Sequence, residues 1–193
     1  MVILVIEDDT EFRDQLCGWL KDKGYETLIA KDEEEAESVL KHSGDSIEIA
    51  LVDGWLPPRV VTADLRESGL RLIHLMMDKY PTIVAIVYTG HDNPSDVARY
   101  MEAGAFSYFV KANNPLQDAL LLHQTLRRAD EKHRKDRQLR ETIASAKRIA
   151  SAVDELRNET ANVAHLLTGM METIQRIQDE VQDKTHQNPT VNS

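Results

Sequence analysis

Along the first part of the chain one pattern recurs: a short run rich in β-branched residues, then a polar turn, then a helix-length amphipathic segment. The five apolar runs are Val2–Ile6, Glu26–Ala30, Ile47–Val52, Ile83–Tyr88 and Ser107–Val110. The first, third and fourth are almost continuously apolar, as the central strands of a parallel sheet covered on both faces should be. Helix candidates lie at about Thr10–Lys23, Asp32–Lys41, Gly69–Lys79 and Pro94–Ala103, with a fifth starting after Asn114. Asp32 can cap the second, Asn93 and Asn114 each stand one residue before a proline, and Gly24 and Gly104 sit where helices stop. Strands and helices alternating at these lengths predict right-handed crossovers and a doubly wound α/β fold with a five-stranded parallel sheet. The stretch from Gly54 to Ser68, with Pro57 and Pro58, is longer than the usual loop of such a fold and is expected to form an elaborated loop beside the site.

After Pro115 the pattern changes. No proline follows until Pro189, and Gly169 is the only glycine between them, so nothing breaks a helix over a long distance. Apolar or small residues recur there in 3,4 spacing. One seam position takes Leu139, Ala146, Val153, Thr160, Leu167, Ile174 and Val181; the other takes Thr142, Ile149, Leu156, Val163, Met170 and Ile177. A 3.5-residue period held this long predicts a left-handed coiled coil. Running from Pro115 to about Lys184, such a helix would be roughly 100 Å long. The expected organisation is therefore a globular domain over residues 1–126, a coiled-coil helix over 127–184 continuing from the last helix of that domain, and a disordered polar tail over 185–193.

Composition narrows the function. The formal net charge of −10 argues against a general nucleic-acid-binding surface. From Arg127 to Arg140 seven basic residues stand against three acidic ones, but interleaved acids make this a solvated helix face rather than a DNA-reading basic region. A single cysteine, Cys17, excludes an internal disulfide and a cysteine zinc site; it reads as a buried small apolar residue and fits a reducing cytosol. The apolar run Val2–Ile6 is too short for a signal peptide or a membrane span, so a soluble cytoplasmic protein without membrane association is expected.

The chemistry sits at the strand ends. Glu7, Asp8 and Asp9 follow the first strand and Asp53 ends the third, so the fold would gather carboxylates at one sheet edge, a hard-oxygen site suited to Mg²⁺. Thr89 follows the fourth strand and Lys111 the fifth, placing a hydroxyl and an ammonium opposite. Transfer of a phosphoryl group to a carboxylate needs this set. A divalent ion offsets repulsion between anionic nucleophile and anionic donor, cationic and hydroxyl donors hold the other oxygens, and aspartate is already ionised at neutral pH.

Four segments carry a resemblance: Ile-Glu-Asp-Asp at 6–9, Leu-Val-Asp-Gly-Trp-Leu-Pro at 51–57, Val-Tyr-Thr-Gly at 87–90 and Gly-Ala-Phe-Ser-Tyr-Phe-Val-Lys at 104–111. Over about Met1 to Arg128 the chain resembles the receiver domains of bacterial two-component response regulators, which have a flavodoxin-like fold. The resemblance implies that Asp53 is the phosphoacceptor, that Glu7, Asp8, Asp53 and the main-chain carbonyl of Trp55 bind Mg²⁺, and that Thr89 and Lys111 contact the phosphoryl group. It also implies that Tyr108 is a switch aromatic, that Asp9 caps a helix, and that the partner is a cognate histidine kinase. Two departures stand out: Ala112 where the family usually has proline after the lysine, and the long segment after Asp53.

A coiled-coil seam cannot stay bare, so the tail predicts a homodimer or a helical protein partner. The expected protein is a phosphoacceptor rather than an enzyme, relaying its signal through coiled-coil pairing or partner binding. Two alternatives are a phosphorelay or hybrid-kinase fragment using His165, which lies on the outer side of the coil, and a coiled-coil scaffold indifferent to phosphorylation.

Overall fold

A computed structural model describes residues 1–56, 65–90, 92–111 and 118–186. In chain order the elements are β1 (Val2–Ile6), α1 (Thr10–Asp22), β2 (Glu26–Ala30), α2 (Glu33–Ser43), a 3₁₀ turn (Gly44–Ser46), β3 (Ile49–Val52), α3 (Leu65–Lys79), β4 (Val84–Thr89), α4 (Pro94–Glu102), β5 (Ser107–Val110) and α5 (Ala119–His186). The chain divides into two units, 1–139 and 140–193. In the first, the five strands form one parallel sheet in the order β2-β1-β3-β4-β5. The order reverses between β1 and β3, which is where such sheets open a crevice beyond the strands' carboxyl ends.

Side chains along a strand alternate between faces, so each central strand feeds two cores. Leu4, Ile6, Ala50, Val52, Ala85 and Val87 face α2, α3 and α4 and pack with Leu40, Leu72, Ile73 and Met76. Their neighbours Ile3, Val5, Ile49, Leu51, Val84 and Ile86 face α1 and the first turns of α5, against Leu16, Leu20, Leu122 and Leu126. This two-sided burial is the physical reason for runs of apolar residues without alternation. Cys17 belongs to the second core, and burial pushes its thiol pKa up, so it is an inert packing residue.

Helix starts follow local chemistry. Asp9 caps α1 by accepting the Phe12 N–H at 2.9 Å, Asp32 caps α2 by accepting the Glu35 N–H at 2.8 Å, and Asn93 caps α4 just ahead of Pro94. Asn114 and Ala112 lie outside the described residues.

Three local expectations are corrected. Residues 65–68 of the segment expected to be loop form the first turn of α3; residues 57–64 lie outside the described residues. Thr89 is the last residue of β4, paired with Val110, rather than a residue beyond it. The β3 and β4 ladders each begin later than their apolar runs, at Ile49 and Val84, because Ile47 and Ile83 pack into the core from the preceding turns. The second unit consists of helix over residues 140–186, two residues past the expected limit at Lys184; residues 187–193 lie outside the described residues. Among the described residues no helix is long and apolar enough to cross a membrane.

The turn from α4 into β5 depends on Gly104, whose φ of 104° disfavours any side chain and whose missing Cβ would meet Met77 Cγ at 2.9 Å. Gly104→Ala should therefore cost about 1–2 kcal/mol. The expected reading is a lower urea midpoint at unchanged m-value; an unchanged midpoint would contradict this account of the turn.

Candidate functional site

The sheet ladder continues one residue past β1, β3 and β5, and this carries the site. The Glu7 N–H donates to the Ala30 carbonyl at 2.9 Å, the Asp53 N–H to the Ile6 carbonyl at 2.9 Å, and the Lys111 N–H to the Thr89 carbonyl at 2.7 Å. Three side chains far apart in sequence thus leave the sheet edge from rigid backbone. Carboxylate oxygens of Glu7, Asp8 and Asp53 lie within 4.8 Å of one another, Glu7 and Asp53 buried and Asp8 exposed. The Lys111 ammonium bridges the buried pair, 2.5 Å from Asp53 Oδ2 and 2.5 Å from Glu7 Oε2. It also lies 4.8 Å from the centre of the Phe12 ring. The remaining oxygens meet main-chain donors: Asp53 Oδ1 accepts the Trp55 N–H at 3.0 Å, and Glu7 Oε1 the Asp9 N–H at 3.3 Å.

One ammonium does not neutralise three carboxylates. Burial, together with the Asp53 charge, outweighs the pull of Lys111 and lifts the Glu7 pKa to about 7. Burial and then Asp53 raise the Asp8 pKa as well. For Lys111, burial works against the charged form, but Asp53 and Glu7 together more than offset it, so the pKa is raised and the ammonium stays charged. Crowded hard oxygens with excess negative charge fit a divalent cation such as Mg²⁺.

The neighbouring wall is polar and tightly built. Thr89 is fully buried, and its Oγ1 has no hydrogen-bond partner among the described residues, a state that costs about 1–3 kcal/mol unless something meets it. Gly54 lies against it: a Cβ there would sit 3.2 Å from Thr89 Oγ1. The Tyr100 hydroxyl donates to the Gly54 carbonyl at 2.7 Å. Gly69 lets α3 approach the same turn, since a Cβ would come within 2.7 Å of both the Asp53 carbonyl oxygen and the Tyr100 hydroxyl oxygen. Tyr108 on β5 is half-buried, its ring 5.9 Å from that of Tyr100.

Glu7, Asp8, Asp53 and Lys111 are thus brought into one cluster, with Thr89 beside it across Gly54 and Tyr108 one ring away. Trp55 takes part through its amide. His165 is exposed on the second unit. Sequence reasoning missed Tyr100 and Gly69; the only trace of Tyr100's role is that it is the one aromatic of a short helix.

The family model of the response regulator receiver domain matches residues 3–122. The chain belongs to this family. Among solved structures, the receiver is similar to the CheY-like receiver domain protein of Methanospirillum hungatei, with 26% identity and a TM-score of 0.57 over 69% of this chain and 97% of that one. It is also similar to NtrX of Brucella abortus, with 26% identity and a TM-score of 0.58 over 72% of this chain and 29% of that one. Among curated relatives, the transcriptional regulatory protein AruR of Pseudomonas aeruginosa is 31% identical over 58% of this chain and 44% of its own length. A cyclic di-GMP phosphodiesterase of Thermotoga maritima is 29% identical over 59% of this chain and 28% of its own length. The chain spans less than half of each of these two relatives.

The receiver's raised Glu7 pKa makes a signed prediction. Folded Glu7 holds its proton up to about pH 7, against 4.5 for the free group, so its contribution to stability is lost as pH rises through that window. Asp8 acts in the same direction. In metal-free buffer the melting temperature should fall between about pH 5 and about pH 7.5, and Glu7→Gln should flatten that slope. An identical slope in the variant would contradict the assignment. Tyr100→Phe, which orphans the Gly54 carbonyl, should destabilise by about 1–2 kcal/mol in denaturant unfolding.

Proposed function

We propose that this receiver accepts a phosphoryl group on Asp53 from a cognate histidine kinase and passes the signal to helix α5. The observation that carries the proposal is the Lys111 ammonium held 2.5 Å from both Asp53 and Glu7, with a buried Thr89 hydroxyl that has no hydrogen-bond partner among the described residues. An Asp53 carboxylate oxygen forms the new O–P bond while the P–N bond of a phosphohistidine breaks, and the departing imidazole takes up a proton. Lys111 and Thr89 hold oxygens of the transferred group. Glu7, Asp8 and Asp53, with the Trp55 main-chain carbonyl, would hold Mg²⁺. Bound there, Mg²⁺ would offset the charge repulsion between carboxylate and phosphoryl donor.

Meeting a phosphoryl oxygen gives Thr89 the partner it lacks, and the packing of Tyr108 against Tyr100 is the adjacent contact able to respond. In this reading residues 1–126 are the receiver and 127–184 the output helix. The protein is a cytoplasmic phosphoacceptor, not an enzyme acting on other substrates. Its α5 seam pairs with a second copy as a coiled-coil homodimer. Support comes from the exposure of that seam in the single chain, with Leu156 62% and Met170 61% exposed.

Intact-mass analysis after incubation with Mg²⁺ and acetyl phosphate tests the chemistry. The wild type should gain one phosphoryl group, and Asp53→Asn and wild type in EDTA none. Lys111→Met should slow the gain roughly a hundredfold. An undiminished adduct on Asp53→Asn, or none on the wild type, would overturn the proposal.

A further inference from the structure

The second unit, taken by itself, carries two asymmetries along its length, and both bear on how a second copy lies against it. The first is charge. From 140 to 153 there are three basic residues, Arg140, Lys147 and Arg148, against Glu141 alone; from 154 to 181 there are six acidic residues against two basic. Two copies side by side in the same direction would set like charge against like along the whole coil, whereas opposite directions set the basic end of each against the acidic end of the other.

The second asymmetry is size along the seam. The small or polar seam residues Thr142, Ala146 and Thr160 would face themselves in a parallel, in-register pair, leaving three underpacked layers. In an antiparallel pair one seam position packs against the other. The register that matches the full seam then puts Thr142 across from Val181, Ala146 from Ile177 and Thr160 from Val163, so each small residue meets a larger apolar one. These three partners are exposed in the single chain, Val181 at 58% and Ile177 at 54%. Of the remaining layers, Ile149 with Ile174, Val153 with Met170 and Leu156 with Leu167 are apolar on both sides, and Leu139 at the end of the seam faces Lys184.

We propose that two copies of α5 pair antiparallel in this register. The inference rests on the homodimer reading above and specifies its direction. A consequence is that the two Arg140 residues lie at opposite ends of the coil.

Pulsed dipolar spectroscopy on the full chain decides it, with one spin label at Ala144→Cys in a Cys17→Ala background. Ala144 is exposed and off the seam. Antiparallel pairing sets its two copies about 50 Å apart, because the facing residue is Asp179; a parallel pair sets them roughly 25 Å apart. The long distance supports the proposal. The short one overturns it and leaves the homodimer standing. A monomer by sedimentation at tens of micromolar overturns the homodimer reading beneath it. Charge reversal gives a second, independent readout. Lys147→Glu with Arg148→Glu should weaken an antiparallel dimer several-fold at low salt, since both ends then carry negative charge. It should leave a parallel one unchanged, where like charge still faces like; an unchanged dissociation constant would therefore also overturn the proposal.

Discussion

A single ammonium set between two buried carboxylates organises this molecule. Lys111 lies 2.5 Å from Asp53 and from Glu7, and its side chain is only 10% exposed. Taken alone, any one of these charges would be driven out of the interior or neutralised. Together they persist, with Glu7 pushed toward its neutral form and Lys111 held charged. The balance is incomplete by design of the site, because Asp8 adds a third carboxylate at the rim. A cluster left short of positive charge is suited to recruit a divalent cation, and the Thr89 hydroxyl, without a hydrogen-bond partner among the described residues, is suited to meet an incoming oxygen.

The sheet makes such a cluster tolerable. Each charged side chain follows a strand whose ladder extends to its own amide, so the cluster inherits the rigidity of β1, β3 and β5. The two cores on either side hold those strands, and α3 and α4 close against the Asp53 turn through Gly69 and the Tyr100 hydroxyl. Packing and the cluster meet there: the same contacts that bury the sheet edge hold the Asp53 turn, with Gly54 lying against Thr89.

Much of this was legible in the order of residues. Continuous apolar runs revealed the central strands, and capping residues marked the helix starts, because both signals are local. Charged or hydroxylic residues at the ends of the first, third, fourth and fifth strands pointed to the sheet edge where the Glu7, Asp8, Asp53 and Lys111 cluster lies. What escaped depended on contacts distant in sequence. The helix candidate begins at Gly69, whereas α3 begins at Leu65, and Gly69 lies inside it where a side chain would strike the Asp53 carbonyl oxygen. The part Tyr100 plays depends on a bond from its hydroxyl to the Gly54 carbonyl, 46 residues away, which no local pattern encodes. In the second unit the heptad seam was plain from spacing alone, but no spacing identifies the helix that covers it.

On the proposed reading, the Glu7, Asp8 and Asp53 cluster is a preformed site for a divalent cation. Trp55, whose amide is bonded to Asp53, offers a direct reporter once Trp19 is replaced by phenylalanine. Titration with Mg²⁺ should change the Trp55 emission along a saturable curve that disappears in Asp53→Asn. A flat response in the parent, or the same curve in the variant, would contradict the account.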